Sequence, residues 1–315
     1  MNTIMTYLGK NPVLANELRI RMRGKRAYLI LAGHLLLLSA LVVLIYIAVY
    51  EDTQNYNSYA YGGGFQRALE ASATAGRAIF YGTSLLLLIF ISIIAPAFTA
   101  GALVGEKERQ TYDLLTITTL PANSIVAGKL NAIMTFILLL ILATLPILTM
   151  AYFFGGVAIG EVLISVLVLL VTAAVFSALG LFVSSFARTT TTANLITYAI
   201  VLPLLLGVPF LIFVIGILSS GIFFDTLITD DPPLALAAIL TYSMGLLLSI
   251  NPLSMAVTSQ MFLAETGNYF FAIERFFDYD LPMIAPWIVY TFVGLLVVVF
   301  LFSATVRRVN RVSLV

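Results

Sequence analysis

The chain has 315 residues, 61% of them hydrophobic and only 10% charged, with a formal net charge of +1. A soluble domain carries roughly 25% charged residues, so the apolar surplus exceeds what one core absorbs, and the reading is an integral membrane protein. The absence of cysteine excludes a disulfide framework and a thiolate metal site. The single histidine, His34, sits in an apolar run, and no acidic or basic tail points to nucleic acid.

Residues 11–25 predict an amphipathic helix. Leu14, Leu18 and Met22 recur at i, i+4 and i+8, while Arg19, Arg23 and Arg26 fall on another face. Such a helix lies in the interface with its arginines toward headgroup phosphates; an ordinary basic flank accounts for the same residues without a helix. The apolar run that follows is too long for a signal-peptide core and has no small-residue cleavage site after it. It is expected as a retained first span.

Six spans are expected, at roughly 27–50, 79–104, 125–153, 161–186, 194–218 and 285–306, each near the roughly 20 residues that cross a bilayer as helix. Lys10, Arg19, Arg21, Arg23, Lys25 and Arg26 precede the first. Lys107, Arg109 and Lys129 follow the second, Arg188 follows the fourth, and Arg307, Arg308 and Arg311 follow the sixth. Only Arg67, Arg77 and Arg275 fall on the other side. An excess of Lys and Arg marks the cytoplasmic face, so both termini are expected inside.

The region 219–284 is then external. Its apolar stretch 233–250 is slightly short for a span and is flanked by Asp225, Asp230 and Asp231 before it and Glu265, Glu274, Asp278 and Asp280 after. A full crossing would leave the basic tail outside, against the charge rule. A re-entrant or interfacial helical hairpin is expected instead, with a seventh crossing as the alternative.

Between spans two and three lies a dense charged island, Gly105-Glu106-Lys107-Glu108-Arg109-Gln110-Thr111-Tyr112-Asp113-Leu114-Leu115. A solvated loop is its simplest reading. At helical spacing Leu114, Leu115 and Thr118 share a stripe that can rest on the membrane surface or a partner, and Pro121 stops the element. Gly101 and Gly105, four apart at the inner end of span two, permit close helix approach, so they are candidate dimer-packing positions. Pro96, Pro146, Pro203 and Pro209 lie within spans and can kink them. A threonine of the run 189–192 is expected to cap span five. Polar residues within spans are pathway candidates: Tyr81, Ser84, Ser92 and Thr99 in span two, Asn194, Thr197 and Tyr198 in span five. The competing reading is that each hydroxyl satisfies its own helix. His34 is expected to hydrogen-bond a neighbouring helix.

The charged island, followed by Leu120-Pro121 and Gly128-Lys129, resembles the ATP-binding-cassette type-2 transporter permeases, as does the arm Asn11-Pro12-Val13-Leu14-x-x-Glu17-Leu18-Arg19. The resemblance covers essentially the whole chain as one transmembrane permease domain, residues 1–315. It implies an all-α polytopic protein with an N-terminal interfacial helix (11–25), a cytoplasmic coupling helix (105–121) and an external region (219–284) before the last span. It further implies that Glu106, Lys107, Glu108, Arg109, Thr111, Asp113, Leu114 and Leu115 meet an ATPase subunit, and that spans two and five line a cavity at a dimer axis. The chain lacks the Gly-x-x-x-x-Gly-Lys-(Ser/Thr) phosphate loop. The resemblance therefore implies no enzyme activity and no cofactor in this chain; ATP and magnesium belong to two copies of a partner ATPase. A second permease subunit and membrane lipid complete the expected partners, in the cell membrane, with an apolar or amphipathic cargo. A membrane scaffold or an intramembrane enzyme without transport is the alternative.

Overall fold

Long uninterrupted apolar runs fold as helices because no water is available inside a bilayer to satisfy an open backbone. The computed structural model describes residues 13–14, 17, 25–57, 64–111, 121–211, 214, 233–276 and 279–312. Among them six helices are long and apolar enough to cross a membrane: Tyr28–Val49, Leu69–Glu108, Ala122–Phe153, Ile159–Phe186, Thr190–Leu211 and Pro286–Asn310. These correspond one to one with the six expected spans. The elements are α1 (Lys25–Asn57), α2 (Gly64–Ala100), α3 (Val104–Glu108), α4 (Ala122–Phe153), α5 (Ile159–Phe186), α6 (Thr190–Leu202), α7 (Leu234–Ile250), α8 (Pro252–Thr266), β1 (Phe271–Phe276), β2 (Tyr279–Ile284) and α9 (Pro286–Val312).

Helix α5 is the hub. It packs on α2, α4, α6 and α9, and glycine lets two of these neighbours come close. A Cβ at Gly180 would lie 2.0 Å from Thr99 Oγ1 on α2, and one at Gly294 of α9 would lie 2.7 Å from Val171 of α5. The central apolar cluster joins Leu87, Leu88 and Ile91 of α2, Ile133 and Ile137 of α4, and Val168, Leu169 and Phe176 of α5. His34 of α1 shares a 3.0 Å hydrogen bond with Thr144 of α4 and stacks on Phe90 of α2, as expected of a buried histidine between helices.

The two ends of the bundle differ. Lys107, Lys129, Arg188 and Arg308 mark one, called here the basic end. At the opposite end α2 extends far beyond a bilayer: its 37 residues span about 55 Å against a hydrocarbon core of about 30 Å. The extension is bound to the loop after α4. Ser72 donates to the carbonyl of Phe154 at 2.7 Å, and Arg77 Nε donates to that of Gly156 at 2.9 Å. Gly76 lets the backbone at Gly155 approach, where a Cβ would clash at 2.3 Å.

Span five is irregular. Thr189 caps α6, accepting from the backbone of Thr192, in the threonine run where a cap was expected. After Leu202 the helix opens into a π-helical turn, Pro203–Gly207, because Pro203 lacks the N–H that would continue the α pattern. The carbonyls of Leu204 and Leu205 within this turn accept hydrogen bonds from Asn251 Nδ2. Asn251 also separates α7 from α8. Its Oδ1 accepts from Leu253 N (2.9 Å) and Ser254 N (3.0 Å), capping α8, with Pro252 in the first turn and Gly267 at φ 66° ending it. One side chain thus fixes both the elbow between α7 and α8 and the irregular turn of span five.

The all-α expectation holds for the spans, with one addition. An antiparallel hairpin, β1 with β2, runs from Phe271↔Ile284 to Phe276↔Tyr279. Sequence reasoning missed it because the alternation of Phe271, Ile273 and Arg275 is short and the turn between the strands carries no glycine. The hairpin lies against the foot of α9, where Trp287 Nε1 donates to the carbonyl of Tyr269 at 2.7 Å. Burial, and then the charge of Glu265, hold the Glu274 carboxyl above the ordinary carboxylate range.

Two outcomes follow for the segment 233–284. Asn251→Ala removes the cap of α8 and the donor to span five and should lower stability by about 1–2 kcal/mol, read as a fall in the thermal unfolding midpoint; Asn251→Ser should restore part of it. Because the folded pKa of Glu274 is raised, its contribution to stability is present below the unfolded pKa and is lost as pH rises through the folded value. The unfolding midpoint should therefore fall over that window, and Glu274→Gln should remove this component of the pH profile.

Candidate coupling site and pathway

The charged island sits at the basic end, between the ends of three spans. After Ala100 the α-helix of span two gives way to a turn at 101–103 and resumes as α3. Ser184 Oγ of α5 accepts from Leu103 N (2.9 Å) and Val104 N (3.0 Å), so two buried donors at the start of α3 are met by the hub helix. Gly101 and Gly105 face Thr190 of the same chain, with Cβ positions 3.0 and 3.8 Å from its Cγ2. Gly101 makes the tight approach to α6 within the subunit, whereas a Cβ at Gly105 would make an ordinary contact.

Each charge of the Glu-Lys-Glu run then reads a different helix. Glu106 Oε1 is 2.9 Å from Nζ of Lys129 on α4, and Lys129 is also 2.9 Å from Glu17 Oε1 in the N-terminal arm. Lys129 is 1% exposed, so these two carboxylates supply the partners a buried ammonium needs. Lys107 Nζ donates to the carbonyl of Ser185, in the last turn of α5, at 2.8 Å. A cation there complements the negative end of the helix dipole. Glu108 accepts from Thr190 N at 2.8 Å and from Thr190 Oγ1. A carboxylate at the start of α6 complements the positive end. Alternating signs in three consecutive residues therefore match span three, the C-terminus of span four and the N-terminus of span five.

Beyond this seat the backbone turns. Gln110 adopts φ 58°, Thr111 N bonds back to the carbonyl of Glu106 at 2.9 Å, and Thr111 Oγ1 is 3.1 Å from Glu106 Oε2. Arg109, Gln110 and Thr111 are exposed. Of the coupling helix read at 105–121, the described helical part is thus α3 alone; Asp113, Leu114 and Leu115 lie outside the described residues. Of the amphipathic segment 11–25, the described positions are 13, 14, 17 and 25, and Leu14 is buried.

The seven pathway candidates separate into distinct environments. Ser92, Thr99 and Thr197 are wholly buried and bond carbonyls of their own helices, at Leu88 (2.7 Å), Ala95 (3.0 Å) and Ala193 (2.7 Å). Tyr198 joins spans five and two through a 2.8 Å hydrogen bond to the carbonyl of Ile93. Asn194 is half-buried, its Oδ1 without a partner among the described residues. Tyr81 and Ser84 line a pocket at the opposite end of the bundle, which also takes in Glu161, Ser165, Ser259 and Gln260. Sequence reasoning did not single out these four, nor Lys129, Ser184 or Asn251 as partners; the contacts that Lys129, Ser184 and Asn251 make with other elements join residues 23 to 112 positions apart. Among the described residues no group of three His, Asp or Glu is placed to hold a metal ion.

Six apolar spans, one of them the hub helix, with a charged element clamped at one end, define a multi-pass helical membrane protein. A family model described as ABC-2 family transporter protein matches residues 12–311. The chain belongs to this family of membrane permease components of ATP-binding-cassette transporters. No curated protein matches it.

The seat predicts an asymmetry between neighbouring acids. Glu106→Lys would place a second cation against the buried Lys129, whereas Glu108→Lys acts at an exposed edge. Breaking a buried pair is strongly destabilising, about 3–5 kcal/mol. The Glu106 variant should therefore lose most of its accumulation in membranes while the Glu108 variant retains it, measured by quantitative immunoblot of membrane fractions.

Proposed function

We propose that this chain is the membrane-spanning subunit of an exporter driven by a separate ATPase, and that α3 with the segment after it is the coupling element. The observation that carries this reading is the three-way seat of Glu106, Lys107 and Glu108 on spans three, four and five. A push on the exposed turn at Arg109–Thr111 is transmitted through these contacts to three spans together. The ATP and magnesium belong to the partner, in two copies, and the two permeases pair. Spans one and five offer the least covered apolar windows, 11% and 17% buried against 44% for spans two and four, which suits them to lipid and to a second subunit.

The basic end is assigned to the cytoplasm, with both termini, by the excess of lysine and arginine there. The α7–α8 elbow is read as re-entrant from the outer face. In support, Asn251 bonds residues 204 and 205 of span five, and Leu204 lies about 21 Å along that helix from Thr190. Met255 of α8 belongs to the central apolar cluster. The cargo pathway is assigned to the polar positions of spans two and five, with Tyr81, Ser84 and Asn194 as the side chains not closed off by their own helices. An apolar or amphipathic cargo fits their few neutral groups.

Since the chain has no cysteine of its own, single cysteines test the coupling assignment directly. Cysteine at Arg109, in the permease co-expressed with a phosphate-loop ATPase, should cross-link to that ATPase; cysteine at Phe300, an exposed position of α9, should not. Equal cross-linking at both positions, or none at Arg109 in a complex that copurifies, would place the coupling contact elsewhere.

A further inference from the structure

The pocket at the opposite end of the bundle has a chemistry the coupling reading does not use. It holds a volume of about 50 Å³, room for a few water-sized groups and hence for a head group rather than a whole amphipath. Leu88, Val168 and Met255 of the central cluster form its apolar floor. Its polar groups come from three helices: Tyr81 and Ser84 from α2, Glu161 and Ser165 from α5, Ser259 and Gln260 from α8.

The polar side is biased toward a cation. Glu161 occupies the first turn of α5, where its Oε1 accepts from Ala158 N at 3.2 Å, and its negative charge complements the positive end of the helix dipole. Its Oε2 lies 3.5 Å from the Tyr81 hydroxyl, which leaves acceptor capacity on that oxygen. None of the lining residues is Lys, Arg or His. Arg77, one turn from Tyr81, is turned onto the carbonyl of Gly156. Ser259 is 6% exposed, lines the pocket, and its hydroxyl has no hydrogen-bond partner among the described residues. Ser165 donates to Ser84 at 3.2 Å, and the oxygens of both can accept. The rings of Tyr81 and Trp287 complete the wall and suit a positive head. Tyr81, Glu161 and Gln260 are only half-buried, so the pocket reaches the surface there, beside the exposed Leu163.

We propose that this pocket binds the primary ammonium head of an alkyl-chain amphipath, with Glu161 as counter-ion, the serine hydroxyls as acceptors and the tail lying out along the apolar surface. The site stands independently of ATPase coupling, because its chemistry lies wholly within one permease. The head group has two possible sources, a free amphipathic amine or an aminophospholipid.

Trp287 is the only tryptophan, and its fluorescence reports the pocket directly. The full chain in phosphatidylcholine nanodiscs, titrated with n-decylammonium, should give a saturable change in emission. Glu161→Gln should weaken the apparent affinity about tenfold or more, since a charge-assisted hydrogen bond is lost. Ser259→Leu, which fills the pocket without touching the carboxylate, should abolish the saturable response and serves if the first variant does not fold. Decanol or decanoate saturating the signal at the same concentration as the amine would overturn the proposal, as would either folded variant titrating like the wild type. Repeating the titration in discs containing phosphatidylethanolamine separates the sources. Competition that shifts the amine curve identifies the lipid head group as an occupant; an unchanged curve assigns the site to the free amine.

Discussion

A buried lysine sets the geometry of the basic end. Lys129 lies inside the first turns of span three, and an ammonium withdrawn from water needs close anionic partners. It has two, from parts of the chain that no helix connects to it: Glu106 after span two and Glu17 in the N-terminal arm. Holding Glu106 there fixes the register of the residues that follow. Lys107 then falls at the C-terminal carbonyls of span four and Glu108 at the N-terminal donors of span five. A Glu-Lys-Glu run is suited to this place because successive helix ends meeting at one level present opposite dipole ends.

Packing across the rest of the bundle is compatible with the element acting on several spans at once. Helix α5 is the common neighbour, approached closely by α2 at Gly180 and by α9 at Gly294. It supplies Ser184 to the start of α3 and Ser165, Val168 and Leu169 to the pocket at the other end. Span five carries its irregularity at Pro203–Gly207, and Asn251 ties that turn to the junction of α7 and α8. This π-helical turn, with the Asn251 side chain bonded to it, is a natural place for span five to bend.

Much of this was legible in the sequence, and the parts that were not share a cause. The six spans follow from runs of apolar residues long enough to cross a bilayer, a local property. The threonine cap of span five and the break at Pro203 are local too. Gly101 and Gly105 were readable as positions of close approach, but the partner, Thr190 of the same chain, was not. Glu106 and Glu108 appear equivalent in the sequence, yet one faces a buried cation and the other an exposed helix end. Glu161 was readable only as an acid at a span boundary; its place beside Tyr81 and Ser259 depends on how α8 folds back at Asn251. Helices are fixed by neighbours in sequence, whereas ion pairs and pockets are fixed by pairings between distant residues, which periodicity does not encode.

Glu106 and Lys129 act as one unit that holds α3 to span three. The decisive measurement is a double-mutant cycle with Glu106→Gln and Lys129→Met, read in the thermal or denaturant unfolding of the purified permease. Strong non-additivity is expected, an interaction energy above about 1 kcal/mol, because each single substitution already removes the shared contact. Additivity within about 0.3–0.5 kcal/mol, the behaviour of independent sites, would contradict it.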